Sequence, residues 1–173
     1  MINKLFITSQ IQIDNNIKIP ETMPDIGKVD EILSEICIDR KYILKTPVGE
    51  SAEGTHVNGN KIMVHWILKQ KILYIAVPGG NLHAFDAEFE FLNGIILPLT
   101  AIYIPESICD LLTVAGRIEN IAYSVYDKRS IMQNLSVALE IDKDLYEYYF
   151  KSYNLSKIEP LEILEKIDYQ EDE

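Results

Sequence analysis

The chain is poor in the residues that most often carry chemistry. It has two cysteines, three histidines and one tryptophan. Cys37 and Cys109 stand far apart and outside any CxxC pattern, so their spacing defines neither a zinc site nor a disulfide framework. They are expected as reduced, partly buried thiols. His56, His65 and His83 form no HExxH motif and no pair four residues apart, which excludes the helical zinc sites built on that spacing. No stretch matches GxxxxGK[ST], GxGxxG or GxSxG, so phosphate loops and nucleophile elbows are absent as well. Basic residues are scarce: 16 Lys and Arg face 27 Asp and Glu, for a formal charge of −11. A surface that tracks phosphates needs clustered cations, so neither nucleic acid nor an anionic membrane is expected as a partner. Much of the acidic excess lies at the end, where Glu159, Glu162, Glu165, Asp168, Glu171, Asp172 and Glu173 face Lys166. No apolar run approaches the roughly 20 residues that span a bilayer, and the first ten residues lack a signal-like apolar core. The chain is therefore expected in the cytoplasm, without membrane insertion.

What remains is a chain whose apolar residues recur at every second position. Its 173 residues, 47% hydrophobic and 25% charged, suit one ordinary globular domain with a core that needs no metal or disulfide. Leu5, Ile7, Ile11 and Ile13 share a face opposite Gln10 and Gln12, and Asn15-Asn16 is a turn signal. Ile32, Ile36, Ile38, Tyr42 and Leu44 line a second strand-like run, although a helix can also be written over residues 29–38. Residues 47–60, rich in Gly, Glu, Ser and Asn, read as an exposed loop that contains His56. A hairpin follows, turning at Pro78-Gly79-Gly80-Asn81. Its second arm alternates Phe85, Ala87, Phe89 and Phe91 with Asp86, Glu88 and Glu90, the pattern of a half-wet antiparallel strand. In its first arm the phase of Val64, Trp66 and Leu68 breaks at Lys69-Gln70-Lys71. That break predicts a β-bulge, or passage from a wet edge into a two-sided core. Ile118 to Tyr126 and Ile131 to Ile141 form a last hairpin around Asp127-Lys128-Arg129. The fold class predicted is all-β, an antiparallel β-sandwich or partly open barrel with a short helical C-terminal segment. Residues 1–150 are read as a single β domain, and residues 151–173 as a short helical or extended acidic tail.

Few groups invite a chemical reading. His65 and His83 lie on the two arms of the central hairpin; facing each other, and joined by Asp86 or Glu88, they would make a weak metal site. Asp86, Glu88 and Glu90 stand about 7 Å apart on one strand face. Catalytic carboxylate pairs usually converge from different elements with one of them desolvated, so these three read as a solvent face. Catalytic, cofactor and metal residues are accordingly none. Trp66, Tyr74, Tyr146, Tyr149 and Tyr153 are the candidates for partner contact.

Three blocks carry a family resemblance. Ile19-Pro20-Glu21-Thr22-Met23-Pro24-Asp25-Ile26 is the first. Lys71-Ile72-Leu73-Tyr74-Ile75-Ala76, followed by His83 and by residues 89–98, is the second. Residues 120–141, turning at Asp127-Lys128-Arg129, are the third. In this order and spacing they resemble the SPOCS domain of SipL-like spore morphogenetic proteins of endospore-forming Firmicutes, over about residues 17–142. Trp66 departs from the family pattern, where a small residue is expected. The family's proteins carry a LysM module after this domain; about thirty residues follow it here, so no LysM-dependent function is carried over. The resemblance implies a non-enzymatic protein–protein module in spore envelope (coat or cortex) morphogenesis, without cofactors, on the mother-cell side of the developing spore. Its implied partners are other spore-envelope proteins or further copies of itself. The alternative is a glycan- or small-molecule-binding β-sandwich that uses an aromatic patch around Trp66 and Tyr74. Assembly by edge-strand addition, through residues 5–13 or the acidic tail, is the mechanism expected of the first reading.

Overall fold

The computed structural model describes residues 6–50, 56–97 and 106–142, with Asp144. They form β1 (Phe6–Lys18), β2 (Asp25–Glu50), β3 (His56–Val77), β4 (Leu82–Ile96), α1 (Glu106–Leu111), β5 (Val114–Asp127) and β6 (Ser130–Asp142). The strands make two antiparallel three-stranded sheets, ordered β1-β6-β5 and β2-β3-β4. The architecture is all-β and sandwich-like, with no closed barrel among the described residues. β1 lies beside β4 and β5 beside β2 at the two margins. At the second margin a Cβ on Gly116 would overlap the Ile36 side chain, so only glycine admits this approach. Among the described residues no helix is long and apolar enough to cross a membrane. The predicted helical C-terminal segment and the boundary after residue 150 fall outside the described residues.

Alternation builds both inner faces. On β3 every even-numbered residue from Ile62 to Ala76 is buried, with Trp66, Leu68, Ile72 and Tyr74 at 0% exposure. On β6, Ile131, Leu135, Val137, Leu139 and Ile141 face them. The apolar side chains fall into two groups. One joins Ile62, Val64, Trp66 and Leu68 to Ile7, Ile13, Leu135, Val137, Leu139 and Ile141. The other joins Ile72, Tyr74 and Ala76 to Ile17, Ile19, Ile26, Val29, Phe85 and Ile131.

Between the two groups runs a polar level. Gln70 stands between Leu68 and Ile72 on β3, and Gln133 between Ile131 and Leu135 on β6; they are 3% and 2% exposed. Gln70 Nε2 donates to Ser34 Oγ at 2.8 Å. Gln70 Oε1, both amide atoms of Gln133 and Asn15 Nδ2 are buried without a partner among the described residues. This level explains the phase break read in the sequence. The β3–β4 register runs without a shift from Lys61 opposite Ile96 to Ile75 opposite Leu82, so no bulge occurs at residues 69–71. Gln70 is simply a polar residue in an inward position, flanked by the outward Lys69 and Lys71.

Three other expectations change. Asn15 and Asn16 are not a turn: β1 continues through them to Lys18, because β6 supplies ladder partners and Ile17 anchors the inner face at 1% exposure. Residues 29–38 are strand rather than helix, and β2 changes face where the register slips between Ile38 and Arg40. That bulge turns Tyr42 and Leu44 outward and brings Ile43 against the core, contrary to a single uninterrupted apolar face. The loop expected over residues 47–60 is largely ladder, with Val48, Gly49 and Glu50 opposite Asn58, Val57 and His56. At the β3–β4 turn, Gly79 and Gly80 take φ of 122° and 67°, as the hairpin reading requires.

One side chain ties the two sheets together. The connection from β1 to β2 crosses between sheets, and Arg129, from the β5–β6 turn, holds it. Its Nη1 donates to Met23 O at 2.6 Å and to Asp25 Oδ1 at 3.2 Å. Its Nη2 donates to Pro20 O at 2.6 Å and to Ile19 O at 3.3 Å. The backbone repeats the clasp, with the N–H groups of Ile19 and Ile26 donating to Arg129 O and Lys128 O. From the other sheet, the Tyr74 hydroxyl donates to Pro24 O at 2.9 Å. Asp127 Oδ1 accepts from Arg129 N at 2.6 Å; bonds from Ser130 and this amide hold its carboxyl below the usual aspartate value.

Two substitutions test this description. Arg129→Ala strands several carbonyls and is expected to cost about 2–3 kcal/mol in chemical denaturation. Arg129→Lys recovers less than half of that loss, since an ammonium cannot fork between carbonyls. Gln133→Leu removes a buried amide without a partner and is expected to raise stability by about 1–2 kcal/mol. A loss of similar size would mean that the amide is satisfied in the native protein.

Candidate interaction surfaces

The aromatic residues nominated for contact are core. Trp66 points inward on β3, its ring stacked on Phe91 at 4.6 Å, and its Nε1 donates to Asn93 Oδ1 at 2.9 Å. Tyr74 meets the Phe85 ring edge-on at 6.0 Å and stacks against His83 at 5.8 Å. Burial pushes its phenol pKa above the ordinary value. Neither ring has surface to offer a protein or a sugar, so the contact reading of Trp66 and Tyr74 is corrected. The reason is their parity: both occupy even positions of a strand whose even side is covered by the second sheet. The ligand reading built on an aromatic patch there loses its platform. Tyr146, Tyr149 and Tyr153 lie outside the described residues.

The histidines separate. His65 is on the outer face of β3, whereas His83 pairs with Tyr74 and stacks on it from the inner side of β4. They lie on opposite faces of one sheet, so the site imagined from both with Asp86 or Glu88 does not form. No cluster of three His, Cys, Asp or Glu suited to a metal exists among the described residues. His65 instead lies between two carboxylates, with Nδ1 2.8 Å from Asp39 Oδ2 and Nε2 3.5 Å from Glu90 Oε2. Asp39 reaches it because the β2 bulge falls at that residue. Cys37 and Cys109 form no disulfide.

The outer face of β2-β3-β4 has a consistent plan. Its middle is charged: Glu35, Lys69 and Glu88 lie in one cross-strand row, and Leu33, Lys71 and Asp86 in the next. These rows bound a shallow groove of about 380 Å³. Lys69 Nζ stands 3.9 Å from Glu88 Oε1, and both are well solvated, so the pair stabilises little. On either side exposed apolar residues appear, beside the charged Asp39, Arg40 and Glu90 at one end. Tyr42, Leu44, Leu92 and Ile96 are exposed towards one end, and Leu82 towards the other, where Leu73 and Ile75 are half-buried. Exposed apolar area arranged around compensated charge is chemistry suited to meeting another protein.

The outer face of β1-β6-β5 is different. It is a ladder of polar and charged groups bonded to one another. Gln12 Nε2 donates to Ser136 Oγ at 2.7 Å, Asn134 Nδ2 to Asp14 Oδ1 at 2.8 Å, and Gln10 Nε2 to Glu119 Oε2 at 3.2 Å. Arg117 Nη2 lies 2.8 Å from Glu140 Oε1 and 3.1 Å from Glu119 Oε1. Compared with protein-family models, with curated proteins and with solved structures, the chain finds no match in any of the three.

The lone tryptophan reports directly on this placement. Its emission is expected to be blue-shifted, resistant to iodide until the chain unfolds, and indifferent to added carbohydrate. Ready quenching of the folded chain would place the indole at the surface and restore the ligand reading.

Proposed function

We propose that this chain is a non-enzymatic assembly module that works by protein–protein contact. In the form that its SPOCS-like blocks favour, it takes part in spore envelope (coat or cortex) morphogenesis. The observation that carries the reading is the outer face of β2-β3-β4, where exposed Leu33 lies within a band of mixed charge and exposed Tyr42, Leu44, Leu82, Leu92 and Ile96 lie beyond it. A flat, apolar-edged face gives area to a protein surface while enclosing little volume for a small molecule. The acidic balance of the chain fits protein partners better than nucleic acid. The three blocks behind the resemblance support the same reading, because each sends a part to the Arg129 and Tyr74 clasp as framework rather than as reacting groups.

A tagged copy followed through a sporulating culture tests this. The protein is expected in the mother cell and then at the developing envelope. Leu33→Glu with Leu92→Glu is expected to keep the fold by circular dichroism while losing envelope location. Absence of the protein from sporulating cells and spores would remove the sporulation reading.

A further inference from the structure

The four edge strands are not equally protected against pairing. Natural sheets guard their edges with bulges, proline, inward charges or rows of charge. β2 carries four register shifts and β5 two. β4 pairs evenly but presents Asp86, Glu88 and Glu90 along its outer side. β1 has none of these guards. Its 13 residues contain no proline or glycine, its register with β6 is unbroken, and its only charges are Asp14 and Lys18.

β1 is also complementary to itself. Pairing with an antiparallel copy must keep inward residues opposite inward residues, because a one-residue slip exchanges the faces. Centred on Gln12, the inner row sets Ile7 against Ile17, Ser9 against Asn15 and Ile11 against Ile13 of the second copy. The outer row sets Thr8 against Asn16, Gln10 against Asp14 and Gln12 against itself. From Ile7 to Ile17 every apolar residue meets an apolar one and every polar residue a polar one; the end pair sets Phe6 against Lys18. Centring one residue away in either direction breaks this match: on Ile11, Ser9 faces Ile13 and Ile7 faces Asn15; on Ile13, Ile11 faces Asn15 and Ser9 faces Ile17. The centred register also places the Ser9 hydroxyl of the second copy opposite Asn15, whose buried Nδ2 has no acceptor among the described residues.

The geometry points to a symmetric dimer in which β1 pairs with β1 of a second copy about Gln12, making one six-stranded sheet. The inference rests on the assembly reading and names one of its partners. The full chain is expected to sediment as a dimer. Under mild oxidation Gln12→Cys crosslinks, while Gln10→Cys alone does not. Mixing Gln10→Cys with Asp14→Cys restores the crosslink. Gln10→Glu sets a carboxylate against Asp14 on both sides of the axis and weakens the dimer roughly tenfold; Gln10→Lys strengthens it. All of these positions are on the solvent side of β1, and circular dichroism checks that each variant folds. A chain that stays monomeric up to millimolar concentration, including one that pairs only with a foreign strand, overturns the proposal. So does a dimer that crosslinks equally at Gln10 and Gln12. Neither result touches the envelope location tested above, which depends on the other sheet.

Discussion

The crossing between the two sheets depends on one guanidinium. A segment with two prolines, Pro20 and Pro24, has few amides to spend on a ladder, so its carbonyls must find donors from outside. Arg129 supplies them as a fork, and the Lys128 and Arg129 carbonyls accept the Ile19 and Ile26 amides in return. The turn that presents Arg129 is itself held by the Asp127 carboxylate. Register in β1 and β2, and through them the meeting of the two inner faces, follows from where this clasp fixes the chain. The blocks quoted for the family resemblance make physical sense here. Residues 19–26, Tyr74 and Arg129, one part of each block, are separated by tens of residues in sequence and converge on a single joint.

The alternating rows made most of the inner surface legible, since period-two apolarity has few other causes. The departures came from features that leave no mark on composition. A bulge adds one residue without changing the kind of residues around it, so the outward turn of Tyr42 and Leu44 after Asp39 was invisible. Gln70 looked like a break because a polar side chain normally faces water, and only the second sheet reveals that this one does not. Large aromatic residues serve interfaces and cores alike, and for Trp66 and Tyr74 parity alone decides between them. Nothing in the sequence marks Arg129 as more than a turn residue, as its partners are mostly carbonyls, which every residue possesses.

The two sheets divide the labour. One keeps its outward polar groups occupied with each other across Gln12, Ser136, Asp14 and Asn134, and its β1 edge carries neither bulge nor proline. The other guards its edges but leaves apolar side chains uncovered on its broad face. A module built this way can extend a sheet in one direction and lay a face against something else in another.

The level of Gln70, Gln133 and Asn15 has a consequence for motion. Cohesion between the sheets is stronger above and below it than along it, because those amides contribute little dispersion energy and several of their atoms have no partner among the described residues. The two apolar groups, bridged by Phe89, are therefore expected to open as distinct units, coupled by the backbone of the central strands that cross the seam. The end clasped by Arg129 can stay closed while the other end breathes, so exchange of amide hydrogens would divide the molecule by height rather than by sheet.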